Sequence, residues 1–306
     1  MKKAIILLFL VLFFMNGNCI AKTPIDFPLG YSLDFRKISK EKLDYAKSVG
    51  IDYIEIAGVG AMVDTQMHLR HSIAYWKDYM DSLKHILDET NMKVWSVHMP
   101  FSAQLDLSLT NEAQRKNVVA LHTQLVDIFL SLQPEIFLFH PSYYLPMNER
   151  EARKGQLIRS VGELFSIVDR SGKTMVVENM LGPELTVGDS ERPLCRSVDE
   201  CLEIFQSFPE KVGLAVDMCH ISNPEKLIQA FGKRVKTLHV ADGDGKAEYH
   251  YLPCNGKGEN NWNAIFSALK KANYKGVFMY ECKYNDEEEL VDCYQSLKQS
   301  YAHIDH

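Results

Sequence analysis

The stretch "GLAVDMCH" (residues 213–220) joins an apolar β-strand pattern to polar side chains at its end. Its apolar residues lack polar alternation, which is typical of a strand covered on both faces in a parallel sheet. Asp217 ends the apolar run, and His220 follows three residues later. Because a buried carboxylate loses its hydration unless it gains a partner, the end of this strand is a candidate for function.

Seven further runs of apolar, β-branched and aromatic residues recur along the chain, most of them about 40 residues apart. Segments with helical spacing lie between them, and the clearest one covers residues 112–132. Eight strand–helix units without a linker predict a (β/α)₈ TIM barrel, a single domain over residues 22–306. An open, doubly wound sheet is the alternative, which the number and regular spacing of the strands disfavour. The predicted strands cover residues 29–35, 53–58, 93–100, 135–141, 174–180, 212–218, 235–242 and 276–283.

The first 21 residues have the pattern of a secretory signal peptide. Two lysines precede an apolar run over residues 4–15, which is too short to span a bilayer, and cleavage is predicted after Ala21. Lipoprotein anchoring at Cys19 is a minor alternative. No later segment is long and apolar enough to cross a membrane. We therefore expect an exported protein that is periplasmic or extracellular.

The formal net charge of the chain is −6, which becomes −8 when the two lysines of the signal peptide are removed. This acidic balance argues against a nucleic-acid partner, whose phosphates require clustered lysine and arginine side chains. Six cysteines follow the predicted cleavage site. Cys195 and Cys201 are close enough in sequence for a disulfide to be considered, but spacing alone leaves the connectivity open. Cys219 and Cys282, near strand ends, are expected to be buried and unpaired.

Functional side chains of a TIM barrel gather at the C-terminal ends of its strands. The third to eighth predicted strands each end in an acidic residue or a histidine. Packing alone does not favour three carboxylates that converge in a region of low dielectric constant, because their like charges repel one another and lose hydration. These side chains are expected in the mouth of the barrel: His98, His140, Glu178, Asp217, His239 and Glu281.

A divalent cation would remove this repulsion. The last four strands supply three carboxylates and one imidazole, and we predict that these four residues are metal ligands: Glu178, Asp217, His239 and Glu281. Such an oxygen-rich set favours Mn²⁺, Mg²⁺ or Co²⁺ and leaves Zn²⁺ open. His220 can reach a second metal or a substrate hydroxyl, or it can hold Asp217 in place by a hydrogen bond. The histidines outside this ring are expected at the surface: His68, His71, His85, His122, His303 and His306.

The ordered set of motifs resembles the xylose-isomerase-like, apurinic-endonuclease-like TIM barrels, which include many bacterial sugar isomerases and epimerases. The resemblance covers nearly the whole chain after the predicted signal peptide. Its motifs are "SVHMPF" with His98, "FLFHPS" with His140, "VVENM" with Glu178, "VDMCH" with Asp217 and His220, "LHVADGDGKAEYH" with His239 and His250, "GKGENNW", and "YECKY" with Glu281.

One branch of this family consists of enzymes similar to the tagatose and psicose 3-epimerases. The resemblance implies that the four predicted ligands bind one divalent metal, that Glu178 and Glu281 also act as acid and base, and that His220 contacts substrate. Removing a proton beside a carbonyl produces an enediolate, whose charge a metal stabilises. That branch has an arginine in the loop after the metal-binding histidine, where this chain offers Lys246.

The other branch is apurinic endonuclease, in which residues that match His98, His140, His220 and His250 complete a trinuclear zinc site. This chain keeps these histidines but has Glu248-Tyr249-His250 where the endonuclease has Asp-Arg-His. The acidic charge and the predicted export both argue against a nuclease. Metal-assisted cleavage of a phosphate ester stays open as an alternative.

These features predict a metal-dependent sugar isomerase or epimerase that acts on a small carbohydrate, with Glu178 and Glu281 as the catalytic pair. The alternatives are a keto-sugar lyase or dehydratase, an endonuclease-like phosphoesterase, and a barrel that binds sugar without turnover. Five residues are expected to bind substrate or an additional metal: His98, His140, His220, Lys246 and His250.

Overall fold

The computed structural model describes residues 25–304, and the predicted signal peptide lies outside them. Within this range, eight parallel strands (β1–β8) alternate with eight α-helices (α1–α8). The strands are Leu29–Asp34, Tyr53–Ala57, Lys93–His98, Ile136–Phe139, Thr174–Glu178, Gly213–Asp217, Val235–His239 and Phe278–Tyr280. The helices are Lys40–Val49, Ile73–Thr90, Glu112–Phe129, Arg150–Arg170, Val198–Phe205, Pro224–Phe231, Trp262–Ala272 and Glu287–Ile304.

The eight strands form one sheet in the order β7-β6-β5-β4-β3-β2-β1-β8, and its two edges meet. Val240, directly after β7, forms a parallel bridge with Tyr280 of β8. The Val240 N–H donates to the Met279 carbonyl at 2.7 Å, and the Val240 carbonyl accepts from the Glu281 N–H at 3.2 Å. The protein is therefore a nearly closed (β/α)₈ barrel, as the sequence predicts, and the open-sheet alternative is wrong.

Alternate residues of β4 pack into two different apolar clusters, because successive side chains of a strand point to opposite faces. Phe137 and Phe139 belong to the large cluster between the sheet and the helices. Ile136 and Leu138 belong to a small cluster in the lumen. The next residue with the lumen parity is His140, so the pleat of the strand aims this imidazole into the barrel mouth.

The same alternation governs β5 and β6. Val176 and Ala215 lie in the lumen cluster, and Glu178 and Asp217 follow each of them by two residues. Both carboxylates are almost completely buried. On the side of β4, β5 and β6, the lumen is thus apolar in its lower part and acidic toward the mouth, and the order of residues along these strands sets this gradient.

The observed elements differ from the predicted ones mainly at their ends. β4 ends at Phe139 and β8 at Tyr280, so that His140 and Glu281 lie at the first positions of the following loops. The helix predicted over residues 112–132 is α3, which a 3₁₀ turn continues over Leu130–Leu132. Three short strands form a separate antiparallel sheet in the loops on the mouth side: Leu145–Pro146, Thr186–Val187 and Ser190–Glu191. The other 3₁₀ turns are Phe35–Lys37, Val59–Met62, Gly232–Arg234 and Pro253–Asn255.

His122 is buried, and the prediction that it lies at the surface is wrong. The face of α3 that carries His122 packs against β4. The centroid of the His122 ring is therefore 5.4 Å from that of Phe139. Burial lowers the pKa of His122 to about 4, so the imidazole is neutral at physiological pH and packs as an aromatic ring. The exposed histidines include His68, His71 and His85, as predicted, and the side chains at 303 and 306 lie outside the described set.

The disulfide in the structure is not the Cys195–Cys201 pair that the sequence spacing suggested. Cys254, in the loop after β7, forms a disulfide with Cys293 of α8. Cys195 and Cys201 are both free, and the Cys201 thiol donates to the Cys195 carbonyl at 3.3 Å. Cys219 is buried and free as expected, whereas Cys282 is free but only partly buried. Within residues 25–304, no helix combines the length and the apolar composition needed to cross a membrane.

We expect the disulfide to be a substantial part of the stability of the fold. Because it joins residues 39 positions apart, the loss of loop-closure entropy in the unfolded chain corresponds to roughly 3–4 kcal/mol. The double variant Cys254→Ser/Cys293→Ser should lose about this much free energy of unfolding in urea denaturation. Cys282→Ser, which replaces a partly exposed free thiol, is the control and should unfold like the unchanged protein. Peptide mapping that finds a free thiol at Cys254 in protein purified without reductant would contradict the pairing.

Candidate metal centre

His239 is the centre of the polar group in the barrel mouth. Its imidazole is completely buried, and its Nδ1 lies 2.7 Å from Glu281 Oε2, 2.8 Å from Glu178 Oε1 and 3.9 Å from Asp217 Oδ2. One ligand atom from each of the four residues lies within 4.8 Å of the others. The structure therefore brings together the four residues predicted as ligands, from four consecutive strands or strand ends.

The oxygens of Asp217 have different surroundings. Its Oδ1 accepts the backbone N–H groups of Cys219 at 2.7 Å and His220 at 3.2 Å. Its Oδ2 is buried without a hydrogen-bond donor among the described residues, and the same holds for Glu178 Oε2. Buried carboxylate oxygens without partners are costly, and a divalent cation is a partner that satisfies them. The residues present thus fit a bound divalent metal ion.

A second group of possible ligands adjoins Glu178 on the side of β3 and β4. His98 Nε2 and His140 Nε2 are 3.3 Å apart, and they lie 3.8 Å and 3.1 Å from Glu178 Oε2. Neither imidazole contributes a hydrogen bond that satisfies Glu178 Oε2, and this oxygen remains without a donor among the described residues. The ring of Phe101 stacks on His140 at a centroid distance of 4.2 Å. The group shares Glu178 with the central four residues.

A third group adjoins Asp217 on the opposite side. His220 Nε2 lies 3.6 Å from Asp217 Oδ2, and Asp217, His220 and His250 can offer ligand atoms to a common point. Glu248, on the loop after β7, places its Oε2 at 2.8 Å from His220 Nε2 and at 3.0 Å from His250 Nε2. The Glu248 side chain is about half exposed. This residue stands in the segment that departs from the endonuclease pattern, yet it still brings a carboxylate to both histidines.

The tautomers of His220 and His250 follow from their Nδ1 contacts. His220 Nδ1 lies 3.0 Å from the Asn179 carbonyl oxygen, and His250 Nδ1 lies 2.8 Å from the Glu281 carbonyl oxygen. A carbonyl oxygen only accepts hydrogen bonds, so Nδ1 must carry the proton in both rings. In the neutral imidazoles, the lone pair is then on Nε2, the atom that faces the mouth. This arrangement is the one that metal-binding histidines require.

Glu55 belongs to the site, although it is not among the residues predicted from the sequence. It lies in the middle of β2, is completely buried, and places its Oε2 at 3.0 Å from His239 Nε2. Ser32 donates its hydroxyl to Glu55 Oε1 at 3.1 Å, and Ser96 donates to Oε2 at 2.7 Å. The available signal was a single acidic residue between two isoleucines in "YIEIA", since the period of two places it on the lumen face.

Lys246 is the one predicted pocket residue that stands apart from the cluster. It is exposed, its N–H donates to Asp244 Oδ1 at 2.8 Å, and its carbonyl accepts from Arg192 Nη2 at 3.3 Å. Among the described contacts, its ammonium group forms no ion pair with the residues of the mouth. A role of Lys246 in binding substrate stays a prediction.

The charges of the central group stabilise one another. Burial alone would lower the pKa of His239, but the carboxylates of Glu281, Glu55 and Glu178 outweigh it and raise the pKa well above its usual value. Burial raises the pKa of Glu281, but the charge and the hydrogen bond of His239 together outweigh burial and lower this pKa to about 2. Asp217 is the exception, because burial raises its pKa to about 6. Without a metal, a protonated His239 therefore occupies the position of the positive charge.

The neighbours of each outer histidine decide whether its pKa is raised or lowered. Burial opposes protonation of His98, but Glu178 and Glu281 raise its pKa to about 9. The pKa of His220 is raised to about 10 and that of His250 to about 9, since nearby Asp217 and Glu248 outweigh burial. For His140, burial is the larger effect and its pKa is lowered. Most of these imidazoles thus carry protons that a metal ion must displace.

Comparison with known proteins places this chain in a family. The model of the xylose isomerase-like TIM barrels matches residues 43–299, and the chain belongs to that family. It is 26% identical over 208 residues to an uncharacterized protein of Methanocaldococcus jannaschii, covering 67% of this chain and 76% of the relative. It is 24% identical over 178 residues to a probable endonuclease 4 of Methanosphaera stadtmanae, covering 53% of this chain and 60% of the relative.

Solved structures with a similar fold include sugar epimerases. A D-tagatose 3-epimerase-like protein superposes with a TM-score of 0.69 at 21% identity, covering 90% of this chain and 97% of its own. A D-psicose 3-epimerase, crystallised in the presence of D-fructose, superposes with a TM-score of 0.65 at 14% identity, covering 90% and 96%. At these identities the likeness concerns the fold.

We expect the metal-free protein to lose stability as the pH rises from about 7 to about 10. His98, His220 and His250 have pKa values raised to about 9, 10 and 9, above the unfolded value of about 6.5. Their contribution is fully present below the unfolded value and is lost as the pH passes the folded values. The positive charges of these protonated rings repel added Mn²⁺, so the stabilisation that Mn²⁺ provides should grow over the same pH range as the rings lose their protons.

The measurement is the thermal midpoint at pH 6, 7.5 and 9, with a chelator and with Mn²⁺. His85→Ala, which removes an exposed histidine on α2, is the control and should leave both pH profiles unchanged. A metal-free midpoint that stays level or rises between pH 7 and 9 would contradict the proposed charge arrangement.

Proposed function

We propose that the protein is a divalent-metal-dependent sugar isomerase or epimerase. The observation that carries this proposal is the convergence of three carboxylates on one nitrogen of His239 at the C-terminal end of the barrel, where TIM-barrel enzymes have their active sites. The family and the epimerases among the similar folds support the reaction class. A small carbohydrate is the substrate that this class implies.

Glu178, Asp217, His239 and Glu281 would hold the cation. Three of these four residues offer oxygen ligands, which favours Mn²⁺, Mg²⁺ or Co²⁺ over a metal that prefers sulfur or nitrogen. A bound divalent cation supplies positive charge that stabilises the negative charge developing on substrate oxygens. The two buried carboxylate oxygens without donors, on Glu178 and Asp217, are the atoms that support this assignment.

Glu178 and Glu281 are the proposed acid and base. They come from β5 and from the end of β8, and they approach His239 Nδ1 at 2.8 and 2.7 Å. His239 keeps the pKa of both carboxyl groups low despite burial, so both are ionised at neutral pH, the state that a base requires. One carboxylate takes the proton from the carbon beside the carbonyl, whose oxygen receives the electron pair as the enediolate forms. For epimerisation, the other glutamate must have taken up a proton when substrate binds, and it delivers this proton to the opposite face, which inverts the carbon and leaves the first glutamate protonated. For isomerisation, the first glutamate returns its proton to the neighbouring carbon while the hydroxyl proton passes to the former carbonyl oxygen, which moves the carbonyl.

The histidines around the central group are proposed to bind substrate hydroxyls. His220 and His250 present Nε2 toward the mouth on one side, and His98 and His140 line the other side. Lys246, on the exposed loop after β7, is the proposed counterpart of the arginine that the 3-epimerase branch carries there. Because Lys246 is exposed, it would contact the outer end of a bound sugar.

Glu178→Gln and Glu281→Gln should each lower turnover by roughly 10²–10⁴-fold, because each removes one proton-transfer group. Both variants keep an amide oxygen at the site, so metal should still bind, although more weakly. The assay is deuterium incorporation from D₂O into a panel of ketoses by the metal-loaded protein. Glu200→Gln is the matched control, since Glu200 is a buried glutamate bound to Arg150 outside the mouth.

The same assay separates the alternatives that share this scaffold. Exchange without loss of a substituent indicates an isomerase or epimerase, and loss of a β-substituent indicates a lyase or dehydratase. Saturable sugar binding by the metal-loaded protein, with no exchange or cleavage across the panel, would support the non-catalytic barrel and overturn the proposal.

A metal-dependent phosphoesterase is the second candidate function. The observation that favours it is that three further groups of possible ligands adjoin the central one and share Glu178, Asp217 or Glu281 with it; the third of them consists of Glu55, His98 and Glu281. Such an arrangement can hold several cations, and sites with more than one metal suit the in-line displacement of phosphate esters. One of the relatives is a probable endonuclease 4.

The metal content of the purified protein separates the two functions. An isomerase or epimerase with one central site should contain about one divalent ion per chain, and the variant His220→Ala/His250→Ala should keep that content. Two or three ions per chain, with the double variant losing one, would favour the phosphoesterase. Release of p-nitrophenol from a phosphodiester substrate then provides the direct activity test.

We also propose that the chain is exported after cleavage behind Ala21. The support is the pattern of residues 1–21, together with the Cys254–Cys293 disulfide, since structural disulfides persist mainly in oxidising compartments.

A further inference from the structure

Glu55 is an ionisable group at the centre of the barrel lumen, below the residues proposed to bind metal. Its side chain is completely buried, and an acidic side chain is seldom buried unless strong partners compensate for the lost hydration. Glu55 has three such partners, the hydroxyls of Ser32 and Ser96 and the imidazole of His239. The proposed proton transfers leave this residue unused, so its presence needs another explanation.

The two nitrogens of His239 face different partners. Nε2 lies 3.0 Å from Glu55 Oε2, whereas Nδ1 faces Glu281 and Glu178 at 2.7 and 2.8 Å. A neutral imidazole has one N–H and one lone pair, and an ionised carboxylate only accepts hydrogen bonds. With Glu55 at Nε2, the proton of the neutral ring belongs on Nε2, and the lone pair is then on Nδ1, directed at the carboxylates.

Glu55 is itself held firmly in place. Ser32 of β1 and Ser96 of β3 lie directly opposite Glu55 in the sheet register, one on each side of β2. Each donates its hydroxyl to a different oxygen of the carboxylate. Three adjacent strands therefore fix the position of this side chain, and through it the plane of the His239 ring on the far side of the lumen.

We propose that Glu55 is a positioning residue that fixes the tautomer and orientation of His239, so that Nδ1 is available to a divalent cation. This inference rests on the proposed function, since it takes the central group to be a metal site. Carboxylates in this relation to a metal-binding histidine commonly alter metal affinity by about 10- to 100-fold. Glu55 would act through His239 without touching substrate.

The test is the dissociation constant for Mn²⁺, measured by titration calorimetry on the full chain. Glu55→Ala should raise it by about 10- to 100-fold, and Glu55→Gln, which keeps an acceptor oxygen but loses the charge, should raise it less. Histidine ¹⁵N spectra of the Mg²⁺-loaded protein provide a second readout. At a Mg²⁺ concentration that just saturates the unchanged protein, its His239 should be protonated at Nε2 alone, and Glu55→Ala should show a fraction of rings with a proton on Nδ1, because metal no longer occupies that atom in every molecule.

Two variants keep the result interpretable. Glu200→Gln removes a buried glutamate of comparable burial outside the mouth, so it should lower stability while leaving the Mn²⁺ constant unchanged. Ser96→Ala removes one of the donors to Glu55 and should weaken Mn²⁺ binding by a smaller factor if the Glu55 variants do not fold.

The outcomes are distinct. Unchanged Mn²⁺ affinity and an unchanged tautomer in folded Glu55 variants would overturn the positioning role and leave the proposed function standing. Loss of one of several bound ions in Glu55→Ala, with the others bound as before, would make Glu55 a ligand together with His98 and Glu281 and would also overturn it. Absence of metal binding by the unchanged protein would instead remove the proposed function itself.

Discussion

The attraction between the His239 imidazole and the carboxylates around it is the interaction on which the mouth of this barrel depends. Four acidic side chains, Glu55, Glu178, Asp217 and Glu281, surround or approach this one ring in a space that excludes most water. Without positive charge at this point, their mutual repulsion would oppose closure of the sheet. A protonated imidazole supplies part of that charge, and a divalent cation would supply more. The stability of the fold and the proposed chemistry therefore both require positive charge at this position.

Closure of the barrel brings these charged side chains next to one another. β7 and β2 are distant along the sheet, yet His239 and Glu55 are hydrogen-bonding neighbours because the sheet curves until its edges meet. The bridge between Val240 and Tyr280 sits one residue from both His239 and Glu281. The backbone contact that closes the barrel thus also sets the separation of two of the central side chains.

The central group of possible ligands and the groups that adjoin it are compatible with both proposed reaction classes. Glu178 and Asp217 each belong to the central group and to one flanking group, so the number of cations that the mouth could hold would depend on which histidines lose their protons. A single cation leaves the outer imidazoles free for substrate hydroxyls. Several cations would convert the same imidazoles to ligands and favour phosphate chemistry. The fold is common to both, and the occupied ligand set decides between them.

Much of the site was accessible from local sequence pattern. A strand has a period of two, so an acidic residue or histidine two positions after a lumen-facing residue points into the mouth, as for Glu178 after Val176 and Asp217 after Ala215. Glu55 also faces the lumen by this period of two, but it lies within its strand. The neighbouring residues do not indicate which end of the lumen its side chain reaches. His122 was misplaced because a helix in a barrel is buried over a wide surface, and a polar ring can pack there when it is neutral.

The sequence by itself determined the eightfold strand–helix pattern, the lumen side of each strand and the residue types at the strand ends, because these depend on neighbours a few positions apart. The pairing of Cys254 with Cys293, the contact of Glu55 with His239 and the grouping of the strand-end residues into adjoining sets of possible ligands were decided by the tertiary structure. These features join parts of the chain that only barrel closure brings within bonding distance. Local periodicity carries no information about such distances.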